Sequence, residues 1–367
     1  MIGFIIGVGI FGVPYALSRS GFIIGLFYLV GLGIIMHILH HFYTDIVLNT
    51  KEKHRYIGYA RQYLGKWGRR IAYFSSIFGI VGGLIAYIIV GGEFMHALLG
   101  DYFGGTVFQH QIIFFTLLAM AVLVGLRLVT TIEIGMTVFL LAVMALIFIY
   151  GIPRIDLANL AIINHRDIFL PYGVVLFAIA GINAIPEIRD ILRGYPRDMR
   201  KVVTLSSILP LLLIATFSFV VVGVTGKATS EEAILGLAAA WGDWMVYIGA
   251  LFGFLAITTS ALVSLTNLKE SLTFDLKFDK YISWFIVTLV PLLIFLAGAQ
   301  DFIGVIGFTG AIFGGTNGIL LALMYLKLRK KKKTLHPVLQ WPKIIPYVVM
   351  IVFALGIIYE IYYQLFA

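Results

Sequence analysis

The chain has 367 residues, of which 60% are hydrophobic and only 12% are Asp, Glu, Lys or Arg. Soluble domains carry about 25% charged residues, so this composition excludes an ordinary soluble protein. No cysteine is present, which excludes disulfides, thiolate catalysis and cysteine-based metal sites. The net charge of +9 would suit a nucleic-acid partner, but the basic residues lie in short segments between apolar runs, where lipid and the insertion machinery read them.

Apolar runs long enough to cross the hydrocarbon core of a bilayer recur along the whole chain. Lipid-facing backbone must satisfy its own hydrogen bonds, and the runs lack the alternation of barrel strands, so we predict helices throughout. The first run begins at residue 1 without the basic segment of a signal peptide, which favours a shortened N-terminus. Eleven spans are predicted, over residues 1–18, 22–48, 69–99, 111–126, 132–152, 170–190, 202–224, 244–270, 281–298, 302–327 and 344–366.

Basic residues mark every second loop of this arrangement, and 23 of the 27 lie there. Cytoplasmic loops of membrane proteins carry an excess of Lys and Arg. The alternation therefore predicts eleven helices in the cell membrane, with a cytoplasmic N-terminus and an extracytoplasmic C-terminus. The lysine run at 330–333 is interpreted as a topology anchor rather than a nucleic-acid site. The marked loops contain Lys51, Lys53, Arg55, Arg61, Lys66, Arg69, Arg70, Arg127, Arg189, Arg193, Arg197, Arg200, Lys201, Lys269, Lys277, Lys280, Lys327, Arg329, Lys330, Lys331, Lys332, Lys333 and Lys343.

Spans one and six carry glycine and proline at matching positions. Setting Pro14 against Pro186 aligns Gly9 with Gly181, 172 residues further along the chain. Both residue types weaken the helical hydrogen-bond ladder, and unwound backbone at membrane depth survives only where it lines a cavity or is buried in protein. Two ordinary kinks are the alternative, but paired interrupted helices in two halves of a chain are typical of transporter binding sites.

Five spans per half would insert the two halves with opposite orientation. We therefore predict an all-α integral membrane protein with a five-plus-five inverted-repeat transporter fold and discontinuous helices one and six. The first repeat is expected over residues 1–152 and the second over 170–327. The eleventh span, 344–366, is expected to be an addition to the repeat.

The stretch G-V-G-I-F-G-V-P-Y-A at residues 7–16 resembles the first-helix motif of the amino acid–polyamine–organocation superfamily. It is nearest to the amino acid/auxin permease branch and the bacterial aromatic amino acid permeases. The stretch A-Y-I-I-V-G-G-E at 86–93, and Thr259 with Ser260, are similar to patterns of that branch. The resemblance implies a five-plus-five inverted repeat and secondary transport of amino acids. The G-x-G-x-x-G spacing inside the motif is not a dinucleotide site, because that site requires a preceding strand and a soluble βαβ unit.

The breaks and the resemblance together predict how a zwitterionic amino acid is held. Backbone N–H groups near a half-helix N-terminus in span one suit the carboxylate. Carbonyl groups freed in span six suit the ammonium, and Asn183 is the only amide side chain at either break. Aromatic side chains are expected to act as walls or gates. The predicted substrate site comprises Gly7, Val8, Gly9, Ile10, Tyr87, Phe177, Ala180, Gly181 and Asn183.

Three residues of span eight share one helical face, at i, i+3 and i+4. The resemblance implies a sodium site there, in which one carbonyl and two hydroxyl groups meet two carbonyls of the first span. Hard oxygen ligands suit a hard cation. Alternatively, the hydroxyls bond to their own backbone or join helices. The predicted cation site comprises Gly3, Ile6, Ala256, Thr259 and Ser260.

Carboxyl groups within spans support a proton as the alternative coupling ion, because they are costly in hydrocarbon and therefore functional candidates. Glu187 is the predicted coupling residue, with Arg189 as a partner, whereas Glu93 is interpreted as structural. Three histidines in span two are expected to be interfacial rather than metal-ligating: His37, His40 and His41. A stripe of small residues in span ten predicts close helix packing rather than a pore: Gly307, Ala311, Gly314 and Gly318.

The predicted function is secondary active transport of a neutral amino acid by cation symport and alternating access. A proton-coupled permease or an exchanger is the alternative, and an ion channel is a more distant one. An enzyme is not predicted, because the spans contain no grouped nucleophile or metal ligands. Sodium or a proton as coupling ion is the only expected cofactor, and the expected partners are the amino acid and the lipid bilayer.

Overall fold

A computed structural model of the chain describes residues 7–124, 129–164, 166–192, 195–275, 277–331 and 333–366. These residues form helices and connecting segments, and no strand occurs among them. The predicted all-α architecture is therefore confirmed. The main helices are α1 (Gly9–Ser20), α2 (Phe22–Leu48), α3 (Tyr56–Phe103), α4 (Val107–Val124), α5 (Val129–Gly151), α6 (Leu170–Ala178), α7 (Ile185–Ile191), α8 (Pro196–Thr225), α9 (Ile234–Trp241), α10 (Asp243–Glu270), α11 (Lys280–Leu296), α12 (Phe302–Phe308), α13 (Gly315–Arg329) and α14 (Ile345–Phe366).

Eight helical segments within these ranges are long and apolar enough to cross a membrane, judged by length and composition. Large apolar side chains such as Phe27, which is 79% exposed, cover their outer faces, as a lipid environment requires. The segment Leu170–Ile191, which contains α6 and α7, is the most enclosed of the eight. The protein is therefore a multi-pass membrane protein with the predicted sixth span at its centre.

Two helices depart from regular geometry in ways that shape the interior. Gly65 interrupts α3 with a φ of 77°, so the residues before it form a separate helical turn rather than the predicted loop. A π-helical turn, Thr309–Gly314, joins α12 to α13. Wider turns of this kind occur frequently at functional sites.

The connection between α13 and α14 is hydrogen-bonded to the C-terminal end of α2, at the end of the bundle that carries the basic loops. Asp45, which is fully buried, accepts hydrogen bonds from Arg200 at 2.7 Å and from the Leu339 N–H at 2.9 Å. Arg200 also donates to the Pro337 carbonyl. The Asn49 side-chain oxygen accepts from the N–H of His336 in the same connection. Because the Asp45 carboxylate is buried while Arg200 is only partly exposed, the carboxylate depends on this partner for its stability.

Glycines allow α6 and α12 to approach backbone to backbone. A Cβ atom on Gly173 would collide with the carbonyl group of Gly307, and one on Gly310 would collide with the carbonyl of Gly173. Backbone atoms cannot move aside as a flexible side chain can. The sixth and tenth spans therefore pack closely because glycine has no side chain at these contacts.

Replacing Gly173 by alanine should destabilise the protein by roughly 1–3 kcal/mol, because the added methyl group overpacks this contact. The matched control is Gly31→Ala in α2, where a Cβ would have no neighbour within 4 Å. Thermal unfolding of the purified variants in detergent measures the effect. Equal melting temperatures for the two variants would contradict the contact.

Candidate functional site

A cavity of about 210 Å³ lies where α1 begins and α6 ends. Its walls come from α1, α2, α3, the segment between α6 and α7, α10, and the π-helical turn with the start of α13. Seven of the nine predicted substrate-site residues are therefore brought together around one space. These are Gly7, Val8, Gly9, Tyr87, Phe177, Ala180 and Asn183.

The start of α1 points its backbone donors at this cavity. Gly7 and Val8 precede the helix and Gly9 is its first residue, and the Gly9 N–H has no acceptor among the described residues. The Ile10 N–H donates to the Gly7 carbonyl at 3.3 Å, and the Phe11 N–H donates to the Val8 carbonyl at 3.2 Å. This tightened first turn places the positive end of the helix dipole beside the cavity.

The sixth span is interrupted between α6 and α7. Residues 179–181 are not helical, and one 3₁₀ turn, Ile182–Ala184, precedes α7. The Phe177 carbonyl accepts a long bond from the Ala180 N–H, at 3.4 Å, and the Gly181 carbonyl accepts from the Ala184 N–H at 3.2 Å. Gly181 and Ile10 are buried but do not line the cavity, whereas Ala180 and Asn183 do.

The start of α1 and the end of α6 touch each other through Gly9. A Cβ atom at this position would lie 2.6 Å from the Ala178 Cα and 3.1 Å from the Phe177 ring. Real Cβ atoms do not approach backbone so closely. Glycine is therefore required at position 9 for the start of α1 to meet the end of α6.

Tyr87 connects three of the surrounding helices. Its hydroxyl lies 3.3 Å from the position of a Cβ on Gly7, and it faces the hydroxyl groups of Ser260 and Ser264 on α10. Across the cavity, the Phe177 ring approaches the Gly83 position of α3 to 3.8 Å. Both predicted aromatic walls therefore border the cavity.

The three predicted cation ligands of α10 also line the cavity: Ala256, Thr259 and Ser260. The Thr259 hydroxyl donates to the Ala256 carbonyl at 3.0 Å, so the two groups bond to each other in this structure. Gly3 and Ile6, the other two predicted ligands, lie outside the described residues.

The two intramembrane carboxyl groups lie away from the cavity. Glu187 is on α7 with its side chain 59% exposed, and it is ion-paired with Arg55 at 3.6 Å rather than with Arg189. Arg189 instead donates to the Tyr59 hydroxyl at 3.0 Å. Glu93 lies further along α3, and its buried Oε2 has no hydrogen-bond partner among the described residues.

Several polar residues of the cavity were not predicted. The Ser75 hydroxyl donates to Asn317 Oδ1 at 2.6 Å, and Ser76 and Thr309 lie nearby on the same wall. Asn317 belongs to the glycine-rich tenth span, whose small residues predicted packing only. Gly314 and Gly318 of that stripe line the cavity as well. The glycines of the tenth span were the only sequence feature that could have indicated this part of the cavity. Their spacing does not reveal the π-helical turn that directs Asn317 and its neighbours toward the cavity.

None of the described residues that line the cavity is Asp, Glu, Lys, Arg or His. The polar groups are hydroxyls, two side-chain amides and backbone groups. A ligand with an uncompensated charge would lose its hydration without gaining a counter-charge. The cavity therefore suits a ligand that is neutral overall.

Comparison with known proteins gives one family and several relatives. The tryptophan/tyrosine permease family matches residues 1–362. The tyrosine-specific transport system 1 of Haemophilus influenzae is 25% identical over 349 residues, which cover 89% of this chain and 86% of the relative. Glutamine transporter 2 of Aliivibrio fischeri is 23% identical over 287 residues, covering 74% of this chain and 73% of the relative.

The fold is similar to that of a solved transporter. Mhp1, a nucleobase-cation-symport-1 family transporter solved in a closed conformation with bromovinylhydantoin bound, matches with a TM-score of 0.65. The match covers 98% of this chain and 89% of that structure at 12% sequence identity. At this identity the similarity concerns the fold alone.

The cavity should be reachable by a water-soluble thiol reagent. Because the natural chain has no cysteine, a single Ser76→Cys substitution gives an unambiguous label site on the cavity wall. The matched control is Ser218→Cys in α8, where the serine is fully buried. Maleimide labelling of the two variants should differ by about tenfold or more, since thiolate reactivity requires exposure. Equal labelling rates would contradict the cavity.

Proposed function

Because the chain belongs to the tryptophan/tyrosine permease family, we propose that it is a secondary active transporter of neutral amino acids. It moves its substrate in symport with a cation, by alternating access. One observation carries this proposal: the start of α1 and the interruption between α6 and α7 face the same uncharged cavity. Interrupted helices around a central site are the means by which transporters of this kind hold small ions and zwitterions.

The proposed substrate orientation follows from the backbone dipoles. The amino acid carboxylate lies at the start of α1, where the N–H groups of Val8 and Gly9 carry partial positive charge. The ammonium lies at the end of α6, where the Phe177 and Ala180 carbonyls carry partial negative charge. The Ile10 N–H and the Gly181 carbonyl, which were also predicted to contact the substrate, are hydrogen-bonded to Gly7 and Ala184 instead. Gly7 allows close approach, and Asn183 supplies a side-chain amide to the same space.

The neutral side-chain class rests on what lines the rest of the cavity. Apolar side chains such as Met36, Ile80 and Phe313 alternate with hydroxyl and amide groups. Such a surface accepts an aromatic or amide side chain and penalises a charged one. The names of two relatives, which specify tyrosine and glutamine, support the same class.

Sodium is the first candidate for the coupling ion. The Ala256 carbonyl and the hydroxyls of Thr259 and Ser260 offer three hard oxygen ligands on one face of α10. In the ion-bound state, both oxygens coordinate the ion and the hydrogen bond between Thr259 and Ala256 is broken. The carbonyls of Gly3 and Ile6 are proposed to complete the site. Proton coupling is the alternative, and the exposed, ion-paired Glu187 offers it little support.

The five-plus-five repeat is supported by which helices pack together. Contacts join α1 to α6, α2 to α8 and α3 to α10, pairs that are five predicted spans apart. The contact of α1 with α8 has its counterpart in that of α2 with α6. We propose repeats over 1–152 and 170–327 with an additional span at 344–366, eleven spans in total, as in the amino acid–polyamine–organocation superfamily.

The cavity leans toward one end of the bundle. Ser75 lies in the part of α3 that follows a basic loop, and the Asn317 carbonyl accepts from the hydroxyl of Tyr56, at the start of α3, at 3.2 Å. On the other side of the site, the rings of Phe11, Phe94 and Phe252 pack edge to face with centroids 5.4 and 6.0 Å apart. The positive-inside rule makes the basic end cytoplasmic, so this conformation faces inward, with the N-terminus inside and the C-terminus outside.

Uptake into proteoliposomes tests the function. Radiolabelled tyrosine, tryptophan and glutamine are supplied while sodium and pH gradients are imposed separately. The proposal predicts accumulation of at least one of them that an inward cation gradient accelerates. Uptake of none of them, or uptake indifferent to both gradients, contradicts coupled symport.

Thr259→Val tests the sodium site, because it removes one ligand and preserves the side-chain shape. Sodium stimulation should fall about tenfold, the effect of losing roughly 1.4 kcal/mol of ion binding. The matched control is Thr258→Val, since the Thr258 hydroxyl donates to the Phe254 carbonyl and does not line the cavity. Unchanged sodium stimulation in Thr259→Val would assign the coupling ion elsewhere.

A further inference from the structure

Two of the three histidines of α2 are buried in protein, and their predicted interfacial position stays a prediction. His40 is 1% exposed and His41 is 5% exposed, and both rings face α8. His37 is one turn away, with its ring centroid 4.7 Å from that of His41. Ionisable side chains enclosed within a membrane protein are costly and are functional candidates by default.

The hydrogen bonds of His40 define which ring nitrogen carries the proton. The Ser207 hydroxyl donates to the Val203 carbonyl at 2.7 Å, so its single hydrogen is already used. Ser207 Oγ therefore accepts from His40 Nδ1, 2.8 Å away, and Nδ1 carries the hydrogen. Nε2 is then left with a lone pair. It is buried, with no hydrogen-bond partner among the described residues.

A second, smaller cavity adjoins this ring. It has a volume of about 10 Å³ and is lined by residues of α2 and α8, with Ile179 from the sixth span. Its polar side chains are His37, His40 and Ser207. A space of this size approaches the minimum for one water molecule. An added proton on Nε2 would here be a buried donor without an acceptor, so this conformation holds the neutral ring.

The small cavity and the substrate cavity are bordered by the same two elements, α2 and the segment between α6 and α7. Ile179 lines the small cavity, and the next residue, Ala180, lines the large one. Both belong to the non-helical residues between α6 and α7. Met36 of α2 separates the two spaces and borders each. A displacement of this short segment by substrate therefore changes the surroundings of His40.

We propose that His40 binds a proton during each transport cycle and that this proton is a coupling ion, whether or not sodium accompanies it. The proposal rests on the proposed function, which it deepens. In the protonation step, Nε2 accepts H⁺ from a hydronium ion that reaches the small cavity, and a water molecule remains. On the other side of the membrane Nε2 returns the proton to water. No other bond is made or broken.

Linkage supplies the coupling. If the protonated and neutral forms of His40 favour different positions of residues 179–181, substrate and proton must alter each other's affinity by the same factor. His41 does not border the small cavity; its Nε2 lies 3.0 Å from the Thr204 hydroxyl. Of the two histidines that do border it, His40 is buried and His37 is only half-buried, so we assign the proton to His40.

The charges around His40 favour proton release in this conformation. His37 and His41 flank it on α2, and Arg200 on α8 is neutralised by Asp45. The sixth span presents the uncharged Ile179. Nearer the inner surface, Arg189 of α7 and Arg329 of α13 donate to backbone carbonyls, and the hydroxyl of Tyr325 on α13 donates to the Leu339 carbonyl. No carboxylate on these elements other than the paired Asp45 is in position to hold an imidazolium.

The experiment uses the full chain in liposomes that contain a pH-sensitive dye. An outward or inward amino acid gradient is imposed without ion gradients, and proton movement is recorded beside counterflow of labelled amino acid. Wild-type protein should move protons with substrate. His40→Gln should keep counterflow but reduce proton movement by about tenfold or more, the equivalent of at least one pH unit in proton affinity.

Two further variants make the result specific. His54→Gln alters a histidine at the inner loop, paired with Glu52 at 3.2 Å, and should retain both activities. Ser207→Ala removes only the acceptor of the Nδ1 hydrogen, and it should shift the pH midpoint of uptake about one unit lower. This variant keeps the test available if His40→Gln does not fold.

Three outcomes overturn the assignment of His40. They are substrate movement without protons in the wild type, unchanged proton movement in His40→Gln, and an unshifted pH midpoint in Ser207→Ala. The absence of counterflow in the wild type would instead refute the proposed function, and with it the proton site. Counterflow that persists without proton movement in His40→Gln supports both.

Discussion

The structure depends on one close contact, where the first turn of α1 meets the last turn of α6 at Gly9 and Ala178. At this point Gly9 has no side chain to keep α6 away, and the regular helix of α6 ends. Polar backbone groups can remain unpaired at membrane depth only if protein encloses them. The surrounding helices, the cavity and the proposed binding chemistry all follow from this constraint.

The described residues that enclose the cavity carry no charged side chains. Backbone contacts between Gly173 and Gly307 bring the tenth span against the sixth, and the polar side chains of the cavity lining are hydroxyls and amides. The buried carboxylate of Asp45 lies away from the cavity and is paired with Arg200. A zwitterion in the cavity would meet fixed partial charges of helix ends, which require no reorganisation.

The sequence predicted the features that have a local signature. Apolar run length predicted membrane-spanning helices, and the Gly181 and Pro186 positions predicted an interruption that lies between Ala178 and Ile185 in the structure. The matching interruption of the first span involves residues before Gly7, outside the described ranges, and stays a prediction. The eleven-span count, the repeat boundaries and the substrate and cation roles also stay predictions.

Features that depend on packing were not predictable from the sequence. Asn317 enters the cavity because a π-helical turn rotates the end of the tenth span, and no residue spacing reveals that rotation. His40 has the same hydrophobic neighbours in sequence as an interfacial histidine, and only its contact with Ser207 of a distant helix distinguishes it. Glu187 lies beside a break in sequence, yet α7 turns it toward Arg55 and away from the cavity.

The central claim is that cargo sits between the two interrupted segments, and protection of a cysteine measures this directly. Gly79→Cys places a thiol on the cavity wall, where a Cβ has its nearest neighbour at 3.5 Å. A transported amino acid should slow maleimide labelling by about tenfold or more, because bound substrate excludes the reagent. Adding Gly9→Ala should abolish that protection while labelling itself persists. Protection that survives Gly9→Ala would show that the amino acid binds elsewhere.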